Sequence, residues 1–264
     1  MVDRQQAASD VDLLRIDALS LAFGGLRVLD RISMSVPRGT VCGLVGPNGA
    51  GKTSLFNCVS GLYRPDSGQI LIDGVDALRH APHESTGLGL ARTFQQPWLD
   101  PAATVLDNVL VGGHTRIRGG PLALALRLPF VRRDEARLRR RALELLEYVD
   151  LMPAMNRPAG ALPFAHAKRV EIARALLAEP RLLMLDEPAG GVAHGEVDAL
   201  ADLVLRLRAE LDLTILLVEH HMGMVSAVTD KVIALVEGRT VAEGTAAQVR
   251  EHPTLIRAYL GAPA

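Results

Sequence analysis

Residues 46–53, Gly-Pro-Asn-Gly-Ala-Gly-Lys-Thr, are the stretch whose types and spacing most directly promise chemistry. They fit G-x-x-x-x-G-K-[S/T] and lie between an apolar run at 40–45, read as a buried strand, and a helical pattern at 54–60. A polyphosphate must be wrapped by main-chain N–H groups, and glycines permit the close approach and the unusual dihedrals this needs. The helix that follows adds the positive end of its dipole. Lys52 has the charge and reach for β- and γ-phosphates, and the Thr53 hydroxyl suits a magnesium ion. The expected nucleotide-binding set here is Gly46, Pro47, Asn48, Gly49, Ala50, Gly51, Lys52, Thr53 and Ser54.

A loop of this kind calls for a second element, an apolar strand that ends in acids. Leu-Leu-Met-Leu-Asp-Glu-Pro at 182–188 supplies it. Asp186 is placed to hold Mg²⁺ at the strand end, and Glu187 to polarise the attacking water as general base. The two motifs together predict hydrolysis of a nucleoside triphosphate with magnesium.

These groups need a sheet to carry them. Alternation or continuous apolar runs predict strands at 13–21, 31–36, 182–185, 215–218 and 232–236. Residues 102–160 differ: they are rich in Arg, Leu and Ala, and Leu138, Ala142, Leu145, Leu146 and Val149 recur at helical spacing. The pattern predicts an α/β domain with a mostly parallel sheet and a helical insertion. A chain of 264 residues, 48% hydrophobic and 22% charged, suits one large domain of this type. The net charge of −1 gives no global field, and nothing in it suggests a general nucleic-acid binder. Cys42 and Cys58 sit in apolar patterns and read as small buried hydrophobes, with no metal spacing or disulfide framework. The polar start at 1–11 has no apolar core of a signal peptide, and the run at 121–130 is too short to span a bilayer. Any membrane connection is expected to run through a partner.

With both motifs in place, residues 12 to 261 resemble the ATP-binding subunit of ABC transporters. The resemblance implies a P-loop NTPase (RecA-like) core with a mostly parallel sheet, an antiparallel β subdomain and an inserted α-helical subdomain. Its expected divisions are a polar tail at 1–11, a core at 12–97 and 168–245, a helical subdomain at 98–167 and a C-terminal helical tail at 246–264. It also implies further site residues. Phe23 matches the aromatic placed against adenine, with a plain core Phe as the alternative. Gln95 matches the glutamine that senses Mg²⁺ and the water and links to membrane subunits, with Gln96 as its rival. His220 matches the histidine that contacts the γ-phosphate, with His221 competing. The implied catalytic set is Glu187, His220 and Gln95, and the implied metal set Thr53, Gln95 and Asp186.

FGGLRVLDRISMSV, GLGLARTFQQPWL, TVLDNVLVGGH and the ending LIRAYLG look like the branched-chain amino acid importer group, and more narrowly its Liv-type G component. That group implies a second ATPase subunit, two integral-membrane permeases and a solute-binding protein acting indirectly, without nucleic acid. It implies a location on the cytoplasmic face of the bacterial membrane and a solute such as Leu, Ile, Val, an amide or urea. Trp98 is then an anchor for the membrane subunit, or else an ordinary core residue. Competing readings are a lipopolysaccharide-export ATPase, against which the FGGLRVLD start, the Arg-rich insertion and the RAYLG tail speak, and a catalytically weak regulatory subunit.

One motif departs. The family signature, Leu-Ser-x-Gly-Gln at a helix start, is here Leu162-Pro163-Phe164-Ala165-His166, with the register set by KRVEIARALL. Pro163 has neither a hydroxyl nor an N–H, and Ala165 adds a methyl where glycine permits close approach. His166 either replaces a glutamine hydrogen bond or adds charge when protonated. Ala193 likewise stands where the following loop usually ends in Asp or Asn. In a head-to-tail dimer each signature serves the ATP on the other subunit, so the expectation is one strong and one weak site. The alternative is a tolerated variant with normal turnover.

Overall fold

The computed structural model describes residues 12–117, 119, 123, 126 and 128–260. The expected tail at 1–11, the last four residues and part of the apolar run at 121–130 lie outside the described residues. The chain divides into two compact units, one built from described residues of 1–92, 181–190 and 197–264, the other from those of 93–180 and 191–196.

The first unit holds two sheets. β1 (Asp12–Phe23), β2 (Leu26–Pro37), β4 (Ser67–Ile72) and β5 (Val75–Asp76) form an antiparallel sheet in the order β2-β1-β4-β5. β3 (Val41–Val45), β6 (Leu90–Arg92), β7 (Leu182–Asp186), β8 (Thr214–Val218), β9 (Lys231–Val236) and β10 (Arg239–Gly244) form the second, in the order β10-β9-β3-β8-β7-β6. From β9 to β6 the strands are parallel, and β10 joins β9 antiparallel. Every residue of β3, β7 and β8 is buried, as expected for parallel strands covered on both faces. The pairings Val41 with Ile215 and Leu182 with Thr214 bring the carboxyl ends of β3, β7 and β8 to one edge. The loops after Val45, Asp186 and Val218 therefore meet, which is where open α/β sheets bind ligands.

The helices, in chain order, are α1 (Lys52–Val59), α2 (Val105–Val111), α3 (Pro129–Tyr148), α4 (Phe164–Leu176), α5 (His194–Leu211), α6 (Met222–Val228), α7 (Ala246–Arg250) and α8 (Pro253–Leu260). The core of the first unit joins both sheets and α1 through Leu14, Ile32, Phe56, Ile70, Met184 and Leu216. Cys42 and Cys58 are buried in it. A smaller cluster seats α8 through Leu255 beside Val45, Val225 and Val232.

The second unit packs α2, α3 and α4 on one another. In α3, Val131, Leu138, Ala142, Leu145 and Leu146 are buried while Arg132, Arg133, Arg137 and Arg140 face solvent, so this arginine cluster is a solvated face. Among the described residues no helix is long and apolar enough to cross a membrane.

Candidate functional site

The loop from β3 to α1 turns on three glycines with positive φ: Gly46 at 152°, Gly49 at 79° and Gly51 at 100°. Their reasons differ from the one the motif alone supplies. A Cβ at Gly46 would overlap the Leu235 carbonyl oxygen of β9, and one at Gly51 would lie 2.9 Å from Leu29 Cδ2 and the Val28 oxygen of β2. At Gly49 it would meet nothing within 4 Å. Packing within the protein thus demands two of the glycines, and only Gly49 borders open space. α1 has no side-chain cap and no acid in its first turn, which leaves its leading N–H groups for an anion.

Lys52 is buried, and its ammonium donates to the carbonyls of Gly46 at 2.6 Å and Pro47 at 3.0 Å. Burial lowers its pKa below the usual lysine value, opposed by the charges of Glu187 and Asp186. Thr53 is exposed and Ser54 half-buried in the first turn of α1.

At the end of β7 the Asp186 carboxylate accepts a hydrogen bond from Arg92 Nη2 at 2.8 Å, and both side chains are buried. Arg92 Nη1 also donates to Asn57 Oδ1 at 2.6 Å and Ser60 Oγ at 3.0 Å, with the guanidinium 5.4 Å from the centre of the Phe56 ring. The acid is thereby tied to α1 from beneath. Glu187 sits in the left-handed region at φ 46°, a strained backbone for a side-chain-bearing residue. Two bonds hold it there: its N–H donates to Val218 O at 2.9 Å and its carbonyl accepts from Gly190 N–H at 3.0 Å. Its carboxylate lies 3.8 Å from His220 Nδ1.

Glu219 organises the neighbouring loop. Fully buried, it accepts N–H bonds from Ala189 at 2.7 Å, His220 at 2.9 Å and His221 at 3.0 Å, so it ties the turn after β7 to the turn after β8. The two histidines then diverge. His221 Nδ1 caps α6 by accepting from Met224 N–H at 3.2 Å, whereas the His220 ring is exposed and turned to Glu187. Phe23 is exposed and meets Tyr63 edge-on, with ring centres 5.3 Å apart, so it is not a core residue.

The remaining expected residues belong to the second unit. Gln95, Gln96 and Trp98 are all exposed. In the 162–166 segment Pro163 occupies the N-cap of α4 and supplies no side-chain cap bond. Ala165 is buried, His166 half-buried, and the exposed Phe164 ring packs on Gly191.

Sequence reasoning passed over three residues of the first unit. Glu219 had a legible signal, an acid directly after an apolar strand, as at Asp186. Arg92 had none. Tyr259, on α8, lies in a tail noted only for kinship; burial raises the pKa of its hydroxyl, opposed by the Gly46 backbone.

Among the described residues no three His, Cys, Asp or Glu side chains gather to hold a metal. The Thr53 hydroxyl and the Asp186 carboxylate are oxygen donors flanking the phosphate loop, and with phosphate oxygens they make the hard donor set that magnesium prefers.

Residues 29–190 match the family model described as ABC transporter. The chain is 39% identical to the high-affinity branched-chain amino acid transport ATP-binding protein BraF of Pseudomonas aeruginosa, over 94% of this chain and 98% of that one. It is 37% identical to LivG of Escherichia coli K12, a protein of the same description, with the same coverage. Among solved structures it is similar to the ADP conformation of an ATP-binding cassette of an ABC transporter, with a TM-score of 0.82 at 31% identity over 95% of this chain and 99% of that one. A dimeric cassette bound to ADP and phosphate, at 23% identity over 88% of this chain and 98% of that one, shares the fold with a TM-score of 0.74.

Proposed function

The chain belongs to the ABC transporter family, and from that premise we propose that it hydrolyses ATP to drive import of branched-chain amino acids or related small amides through separate membrane subunits. The observation that carries this reading is the convergence of Lys52, Asp186, Glu187 and His220 on one edge of the parallel sheet. The names of its relatives over nearly the whole chain favour this solute class over lipopolysaccharide export.

In this reading residues 46–54 wrap the phosphates, and Lys52 exchanges two neutral loop carbonyls for charged phosphate oxygens, which are stronger partners. Phe23, exposed beside Tyr63, offers a face for the adenine. Thr53 and Asp186 are the residues of the first unit that would hold magnesium, which neutralises charge on the phosphates, and Gln95 is assigned to hydrolysis by the family resemblance alone. Glu187 takes a proton from the attacking water, its carboxylate fixed by the two backbone bonds that hold its strained conformation. His220 rather than His221 serves the γ-phosphate, because the latter's Nδ1 is engaged in capping α6. The His220 N–H, held by Glu219, keeps that ring facing Glu187.

A head-to-tail pairing with a second ATPase subunit beneath two permeases, fed by a solute-binding protein, fits a chain that is peripheral at the cytoplasmic face of the membrane. Within such a pair Pro163 leaves this chain's signature without a hydroxyl, so the ATP on the partner's loop meets the weaker half-site.

The test is reconstitution: the chain, a second ATPase subunit and the two permeases in vesicles, with solute-binding protein and radiolabelled leucine. ATP-dependent leucine uptake is expected. ATP turnover without uptake of leucine, isoleucine, valine or a small amide would overturn the solute assignment.

A further inference from the structure

Helix α4 carries three charged side chains that a packed helix face normally excludes. Lys168 is 2% exposed and Glu171 1%, with Arg174 partly buried beside them. Burying ions is costly unless partners compensate for lost water. Here the partners are the main chain of one short segment. Lys168 Nζ donates to the carbonyl oxygen of Gln95 and, at 3.3 Å, to that of Phe94. Arg174 Nη1 donates to the carbonyl of Trp98, and its Nη2 to Glu171 Oε1 at 3.2 Å. Glu171 Oε1 accepts that bond while its Oε2 has no hydrogen-bond partner among the described residues, and burial raises its pKa, opposed first by the Arg174 charge and then by the Phe94 and Trp98 backbone. Residues 94–98 are therefore gripped at both ends through main-chain groups, while the side chains of Phe94, Gln95 and Trp98 stay exposed.

We propose that Lys168, Glu171 and Arg174 are positioning residues that clamp the 94–98 backbone to α4 and so dictate where Gln95 presents its amide. Hydrogen bonds alone would be met as well by neutral groups; two cations on five residues of backbone, one of them held in place by Glu171, give stronger, more directional restraint. The clamp also links two motifs within this unit. α4 begins at Phe164, whose ring lies 5.6 Å from Lys168 Nζ. A shift of the 162–166 segment moves Lys168, and Lys168 moves the Gln95 carbonyl. The functional consequence rests on the proposed role of Gln95 in hydrolysis; the clamp itself does not.

Trp98 is the only tryptophan in the chain and lies in the clamped segment, so its emission reports the clamp directly. Time-resolved anisotropy and acrylamide quenching are compared in the purified full chain for wild type, Lys168→Met, Lys168→Arg and Gln95→Ala. Lys168→Met is expected to increase fast local depolarisation and to raise quenching, Lys168→Arg to restore both, and Gln95→Ala to change neither. In the assembled complex Lys168→Met is expected to lower kcat about tenfold, as for one lost charge-assisted hydrogen bond, with KM for ATP little changed. If Lys168→Met does not fold, Arg174→Gln is read in the same way. Unaltered Trp98 anisotropy in both variants overturns the clamp, whatever happens to the melting temperature. A Gln95→Ala enzyme with full turnover overturns instead the role given to Gln95, and the anisotropy still decides the clamp.

Discussion

Two segments of this chain lead into helices that begin with uncapped N–H groups, and they treat those groups differently. Residues 46–51 reach α1 through three glycines with positive φ and set a lysine at the first helical position. Residues 162–166 reach α4 through Pro163 at φ −55°, with Phe164 and Ala165 behind it. The first turn gathers the groups proposed for an anion: the backbone is contorted, the lysine is buried, and two carboxylates stand beside it. The second starts on a proline and offers no side-chain cap. What separates them is the supply of donors. Both have the helix dipole, but only the first sets a cation at the first helical position, and a helix N-terminus alone contributes about 1 kcal/mol.

The comparison breaks hardest at the acid beside the first loop. Glu187→Gln keeps shape and removes the base, and ATP turnover of the assembled complex is expected to fall by ~10²–10⁴ with nucleotide binding retained. Turnover near wild type in a single-turnover assay would mean that the partner's site carries the hydrolysis. Next in size, Lys52→Ala removes the cation that distinguishes the two segments; Mg-ATP affinity measured by titration calorimetry is expected to weaken ~10- to 100-fold. Equal affinity would reduce the first loop to the level of the second.

The difference is sharpened from the other side by Pro163→Ser with Ala165→Gly. A hydroxyl and a free N–H return to the helix start, and turnover in the heterodimer is expected to rise by up to about tenfold. No change in rate would make Leu-Pro-Phe-Ala-His a variant that works as it stands. The smallest effect concerns the strand that feeds the first loop. Burial pushes the Cys42 thiol up to about 12. Between pH 9 and 12 the unfolded chain ionises this thiol while the folded chain does not, so stability falls as pH rises, by at most about 1.4 kcal/mol per pH unit. Denaturation at pH 8 and pH 10 checks it, and Cys42→Ala is expected to flatten that part of the profile.

Much of the architecture was readable from periodicity. The apolar runs at 182–185, 215–218 and 232–236 are the parallel strands β7, β8 and β9, because strands covered on both faces need no polar alternation. The stripe through Leu138, Ala142, Leu145 and Leu146 is the inner face of α3, because helical spacing survives in one dimension. The site was legible only where residues are neighbours in the chain: the glycine loop with Lys52, and Asp186 with Glu187. Arg92 reaches Asp186 across 94 positions, and Lys168 reaches Gln95 across 73. Neither leaves a local trace, since nothing in either segment names a partner so far along the chain.

The linear order of residues was enough to predict a polyphosphate loop and the acids expected beside it, because a strand, a tight loop and a helix start are local structures with local rules. That His221 caps α6 while His220 faces Glu187 took the folded molecule to see, because both follow the same strand. So did the reason for Gly46 and Gly51, which answers to β9 and β2 rather than to phosphate. Contacts of that kind depend on which distant backbones are pressed together, and sheet topology, not spacing along the chain, decides that.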